Sequence, residues 1–422
     1  MTVLIFMLLN PLYALTITVL LSIITNRVNN VLIAVLYVLS FTLFFSNQEF
    51  IFHTDLGSYI DMYHRTQSEN ISSIFGDFLK NPNGREFLWL YYCIAIGVVT
   101  GYSTEVFVVT TYMLIFSLSA YLAFLVSESG RHNLALILFS LIFFEMTFLV
   151  VGYNLWRIEV SVLLFLIGLI KYFSFQSKYI SRVMIYSTAF IHISIIPIIG
   201  LFELYVFFIK RNDRQELINT SLFIKFILFV VGAIYVAYFV TDQILTIVLV
   251  NPHHLLHPAI EKYTVGGNGF FDTNISFSFL NYMKPFYAMI IAYLVFNWKN
   301  IQHFDLFILA TFIIIEVLIY TSNDIPIIYA RASIVPKIGL VFIAVKILKR
   351  FNYIYIIAFV CTIFTLRILL LSSNSTNLLV WENIAKGDIF NPIYGLIFSI
   401  FYFFNPLLYG PMVWFVDFSK MY

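Results

Sequence analysis

The sequence predicts an all-α, polytopic membrane protein, and three observations predict it. Hydrophobic residues make up 61% of the 422 residues and charged ones only 11%, with a mean hydropathy of +0.91. A soluble domain buries one face of each helix and needs far more charge on the other, so this composition demands a lipid-facing surface. Apolar runs recur from end to end, most of them near the ~20 residues that a spanning helix requires. The basic residues fall in short clusters beside those runs. That is the pattern of membrane orientation, and the net charge of +2 is too small to argue for a nucleic-acid partner.

The runs lie at 2–25, 31–46, 105–126, 134–152, 157–175, 217–240, 278–297, 306–322, 333–347, 353–371 and 394–410, which predicts eleven ordinary spans within one integral membrane domain, 1–422. The first run has no basic residue before it and Arg27 just after it, so it reads as a retained span and not a cleaved signal. The two cysteines, Cys93 and Cys361, lie in apolar stretches and suggest neither a disulfide framework nor a metal cage.

Two stretches are ambiguous. If 86–102, "EFLWLYYCIAIGVVTGY", spanned the membrane, Arg157 would fall on the cytoplasmic side but the Lys178/Arg182 cluster outside, against the positive-inside rule. It is therefore predicted to lie along the outer surface as an interfacial helix. Residues 183–209 are flanked by Lys178/Arg182 and by Lys210/Arg211/Arg214. A broken, re-entrant hairpin turning near Pro197 keeps both clusters inside and puts His192 near its apex.

The outer face then holds an informative minority of cations. Arg157, Lys284, Arg331, Lys337 and Arg367 sit at or just inside the outer ends of spans. Any one could snorkel to the headgroups. Five together suggest a bound anion, such as a lipid phosphate, whose oxygens suit the guanidinium fork. Asp324 could instead pair with Arg331 inside the protein. Asp55, Tyr59 and Tyr63 recur at intervals of four and so share one helix face. Carboxylates accept sugar hydroxyls and rings stack on pyranose faces, although an interfacial tyrosine belt would look the same. Glu86 opens the next helix, where the dipole stabilises a carboxylate. His192 titrates near neutrality and could act as a base or a phosphate donor, or simply bridge two helices.

His253, His254 and His257 have no carboxylate fixed beside them, so no metal site is assigned. "VGGNGFFD" lacks the strand–turn–helix setting of a nucleotide fingerprint and reads as a flexible loop over the outer cavity. The cytoplasmic loops are too short for a nucleotide-sugar site, so a transferase of this shape would draw its donor from the membrane.

Asp55, Tyr59 and Tyr63, then Glu86–Phe87, Arg157 and "FIHIS" at Phe190–Ser194 resemble, in order and spacing, the EpsG-like branch of the Wzy-type polysaccharide polymerases. The resemblance covers roughly the first half of the chain. It departs at "LWRIEV", where family members often carry glutamine after the arginine and Ile158 stands here. It implies an inverting O-antigen or exopolysaccharide polymerase, a multi-pass protein of the bacterial cytoplasmic membrane with its active site on the outer, periplasmic or extracellular, side. Such an enzyme joins repeat units carried on undecaprenyl pyrophosphate and needs no cofactor, nucleotide or metal. The bilayer and the lipid-linked oligosaccharide are the implied partners, with a chain-length regulator and a flippase as candidates.

The loops 47–104, 241–277, 323–332 and 372–393 would form the active-site face. Arg157 and Arg331, supported by Lys337 and Arg367, would neutralise the departing pyrophosphate. The acceptor hydroxyl needs a base: Asp55 first, then Glu86 or His192. Tyr59 and Tyr63 would line the acceptor groove. A flippase for the same lipid-linked sugar is the main rival, although no internal repeat of the kind transporters carry is evident. A ligase using the same donor would differ only in its acceptor.

Overall fold

Six of the predicted apolar runs form helices that end within a few residues of their expected limits, apart from the last turns of one. The computed structural model describes residues 30–46, 55–68, 86–130, 134, 137–138, 156–174, 178–208, 220–250, 301–321 and 332–348. These are α-helical almost throughout, and no strand occurs among them. The elements are α1 (Asn30–Ser46), α2 (Asp55–Ser68), α3 (Phe87–Thr100), α4 (Thr104–Gly130), α5 (Trp156–Ser174), α6 (Lys178–Ser187), α7 (Ile196–Phe208), α8 (Thr220–Val250), α9 (His303–Thr321) and α10 (Ile334–Leu348). The runs predicted at 2–25, 278–297, 353–371 and 394–410, with most of 134–152, lie outside the described residues. Among the described residues, one stretch, Thr104–Ser127 of α4, is long and apolar enough to cross a membrane by itself.

The chain divides into two compact units. In the first, α1 packs along α4, joined by the Tyr37 hydroxyl and Ser119 Oγ at 3.0 Å. Gly101 and Tyr102 both adopt positive φ, at 64° and 61°, and turn the chain from α3 into α4. The Tyr102 amide donates to the Gly97 carbonyl at 3.0 Å, closing the end of α3. Ser103 Oγ then caps α4 by accepting the Val106 amide. The turn is tight enough that a Cβ on Gly97 would overlap the Tyr102 ring. The Tyr92 hydroxyl meets Thr111 Oγ1 at 3.0 Å. Those residues stand almost equally far from the turn, so α3 runs antiparallel beside α4.

The predicted interfacial stretch 86–102 is thus a helix packed on one side. Trp89, Leu90, Cys93 and Gly97 are buried on one side of α3, while Val98 and Val99 are exposed.

The second unit contains the later part of α5, α6 to α9, and α10 to Ala344. Between α6 and α7 the helix is interrupted by two 3-10 turns, Thr188–Phe190 and Ile193–Ile195, on either side of extended His192. Arg182 Nη2 lies 3.0 Å from Glu203 Oε2, and the Tyr186 hydroxyl donates to Glu203 Oε1 at 2.6 Å. In a straight helix residues 182 and 203 would stand about 30 Å apart, so α7 folds back on α6. The break thus falls at His192, near the expected apex and a few residues before Pro197. Pro197 sits in the first turn of α7, where a missing N–H costs nothing.

α6 approaches α5 closely at Gly168, where a Cβ would press on Ile185. α7 packs on α8 and α9, with the Tyr205 hydroxyl 3.0 Å from His303 Nδ1. α9 and α10 touch at Gly339, where Ile308 fills the space of a Cβ. α8 continues for 31 residues to Val250, through ten residues that had been assigned to an outer loop. "TDQILTIVLV" contains neither glycine nor proline to stop the helix.

Candidate active site

Two clusters gather predicted site residues, one in each unit. The first is built of rings. Tyr59 and Tyr63, four residues apart on α2, both turn inward and are fully buried. Tyr63 stacks on Phe107 at 4.2 Å and its hydroxyl lies 3.0 Å from Thr100 Oγ1. Burial raises the Tyr63 hydroxyl's pKa above its usual value, against the contrary pull of that hydrogen bond. His64 Nε2 to Thr104 Oγ1, at 2.7 Å, adds a second tie between α2 and the start of α4.

Tyr59 stacks on Trp156 with centroids 5.4 Å apart and meets Trp89 at 5.7 Å. Trp156 also takes the edges of Phe107 and Tyr112, at 5.9 and 5.2 Å. Against this wall lies Arg157, its guanidinium carbon 4.9 Å from the centre of the Tyr59 ring. A cation over a partly desolvated ring gains about 0.5–2 kcal/mol. The π face explains how an arginine is tolerated in the first turn of α5, where the helix dipole opposes it.

Two residues further on, Glu159 was not foreseen. It is completely buried, and neither carboxyl oxygen has a hydrogen-bond partner among the described residues. Tyr37 and Tyr112 lie within electrostatic reach of it. The signal was present: an acid inside "RIEVSVLLFLIGLI" is an ionisable group in an apolar run, which is by default a functional candidate.

The second cluster is polar and lies at the α6–α7 break. Glu86, immediately before α3, and His192 are both buried, with Glu86 Oε1 3.7 Å from His192 Nε2. The Ile193 amide donates to the same carboxylate oxygen at 3.4 Å, and the Phe87 and Phe190 rings meet at 4.6 Å. On the other side of the imidazole, the Ser194 amide donates to Nδ1 at 3.2 Å, and Ser194 Oγ lies 2.7 Å from that nitrogen. The break makes this possible. The first amides of a helix have no carbonyl partner within it, so those of Ile193 and Ser194 are available to side chains. The positive end of the dipole also favours the Glu86 carboxylate.

The remaining predicted residues are placed as follows. Asp55 is the first residue of α2. Lys337 is buried on α10, where Nζ lies 2.7 Å from Ser333 Oγ and 3.7 Å from Glu316 Oε1. Arg331 and Arg367 lie outside the described residues, as do Asp324 and the histidines at 253, 254 and 257. Among the described residues no three histidines, cysteines or acids gather as a metal ion would need. No family model matches the chain, and neither a curated protein nor a solved structure does.

Proposed function

We propose that the chain is a multi-pass glycosyltransferase of the bacterial cytoplasmic membrane, an O-antigen or exopolysaccharide polymerase joining undecaprenyl-pyrophosphate-linked repeat units on the outer face. The observation that carries this reading is the meeting of Glu86–Phe87 with Phe190–Ser194. These are two of the separate motifs on which the resemblance to the Wzy-type polymerases rests, and Glu86 and Ile193 are 107 positions apart. An acid and a histidine buried together at a break between apolar helices supply the acid–base chemistry that a hydroxyl acceptor requires. Within the first unit, Arg157 on its aromatic wall carries a guanidinium of the kind that suits a lipid phosphate.

A lipid-exposed surface is supported by α8, whose Ile224, Leu228, Val231, Tyr235 and Phe239 are all exposed at helical spacing. Its 31 residues extend about 46 Å, more than the hydrocarbon core. α3, with 14 residues and about 21 Å, would enter that core beside α4 without crossing it. The eleven spans and the re-entrant setting of the α6–α7 hairpin belong to the same proposal.

The reading is tested by glycan laddering in cells that carry the wild type, Arg157→Ala or Arg157→Lys at matched membrane abundance. Loss of long chains in Arg157→Ala, with single lipid-linked units still reaching the outer face, is expected. Accumulation of single units on the cytoplasmic side would replace the polymerase with a flippase. An unchanged ladder in Arg157→Ala would leave the arginine as an anchor.

A further inference from the structure

We infer that Glu86 is the base of the proposed transfer, and that His192, held by Ser194, is its positioning residue and not the base itself. The inference rests on the polymerase reading and decides between two groups that the sequence left equivalent.

The deciding contact is the Ser194 amide. A backbone N–H can only donate, and it points at His192 Nδ1 from 3.2 Å. Nδ1 must therefore present its lone pair, and the proton of the neutral ring resides on Nε2. With its lone pair so presented, Nδ1 can also accept from the Ser194 hydroxyl, 2.7 Å away. For His192 to accept a proton at Nδ1, it would have to displace a backbone amide fixed by the 3-10 turn Ile193–Ile195. Its Nε2 already carries a proton, directed to the side where Glu86 Oε1 stands 3.7 Å away.

The ring is thus arranged to donate. What it faces is a carboxylate that also receives the Ile193 amide. An ionised carboxylate carries about four lone-pair sites and is chemically able to take a proton. In the reaction the acceptor hydroxyl loses its proton to Glu86 as its oxygen bonds to the sugar's anomeric carbon. The bond from that carbon to the pyrophosphate breaks, and its electron pair leaves with the polyprenyl pyrophosphate. Glu86 then returns the proton to water. His192 stays neutral throughout and keeps the carboxylate oriented.

The chemistry separates the two residues cleanly. Glutamine at 192 retains an N–H at nearly the reach of Nε2 but cannot accept a proton, and leucine retains neither function. In membranes supplied with lipid-linked repeat units, Glu86→Gln is expected to lower the polymerisation rate more than about 100-fold, the scale of a lost general base. His192→Gln is expected to stay within about tenfold of the wild type, with His192→Leu well below it. Ser194→Ala should cost less than His192→Leu, because the backbone amide remains.

Circular dichroism and membrane abundance confirm that each variant is folded. A folded His192→Gln as inactive as Glu86→Gln overturns the inference and makes His192 the base. A folded, active Glu86→Gln overturns it as well, and Asp55 becomes the candidate. Failure of the polymerase reading looks different. In a strain lacking the whole chain, single units would then stay on the cytoplasmic side, and the assignment of a base would fall with it.

Discussion

The ring-built cluster around Arg157 and the hydrogen-bonded cluster around His192 solve the same problem, a polar side chain among apolar helices, by opposite means. Arg157 is held by the shape of its surroundings: Trp156, Tyr59 and Trp89 form an aromatic wall, and the cation lies over a π face. His192 and Glu86 are held by direction: two backbone amides, released by a break in the helix, point at them. A wall of rings couples the charge to stability, because each ring buries a large area and touches several others. A pair of amides couples the polar groups to backbone geometry and leaves their chemistry separable from the fold. Substitutions of the rings in the first cluster should therefore be read out as unfolding, and those in the second as loss of rate.

The sharpest test of that contrast is Trp156→Ala. Trp156 is fully buried against Tyr59, Phe107 and Tyr112, so its removal should cost about 3–5 kcal/mol, measured as a lowered unfolding midpoint in detergent. His192→Leu, placed beside it in the same assay, should move the midpoint far less. Comparable losses would erase the distinction between the two clusters.

Glu159 offers a test of opposite sign. No described residue donates a hydrogen bond to its buried carboxyl, so Glu159→Leu should stabilise the protein by about 1–3 kcal/mol. If stability rises while polymerisation fails, the acid is retained for function at the expense of the fold. If stability falls, the carboxyl has a stabilising role that its surroundings do not reveal.

Arg157→Lys is a finer probe. It keeps the charge and loses the planar stack on Tyr59, and should lower stability by about 0.5–2 kcal/mol. An unchanged midpoint would mean that charge alone matters there. Smallest of all should be Arg65→Ala, which removes the exposed Asp61–Arg65 pair on the outer side of α2 and should cost less than about 1 kcal/mol.

Much of this was legible in the sequence because periodicity and composition are local properties. The apolar runs at 31–46, 105–126, 157–175, 306–322 and 333–347 became helices because their own residues dictate it. The inward face of α2 was legible too, since Tyr59 and Tyr63 are one helical turn apart. The α6–α7 break falls at His192, where the sequence placed the hairpin's apex, and only the role of Pro197 differs. Proline marks a boundary in either direction, and Pro197 starts a helix here instead of ending one.

The sequence by itself determined that the chain is helical, rich in lipid-compatible runs, and supplied with a few ionisable residues at the ends of those runs. Hydropathy and spacing are carried by neighbouring residues, so no partner need be known to read them. Which of those residues meet was decided only by the tertiary structure. That Glu86 faces His192, that Arg157 rests on Tyr59, and that α3 lies beside α4 all depend on segments far apart in the chain. The proton on His192 depends on something finer still. A single backbone amide points at Nδ1 because the helix breaks just before it, and a sequence does not record the direction of an amide.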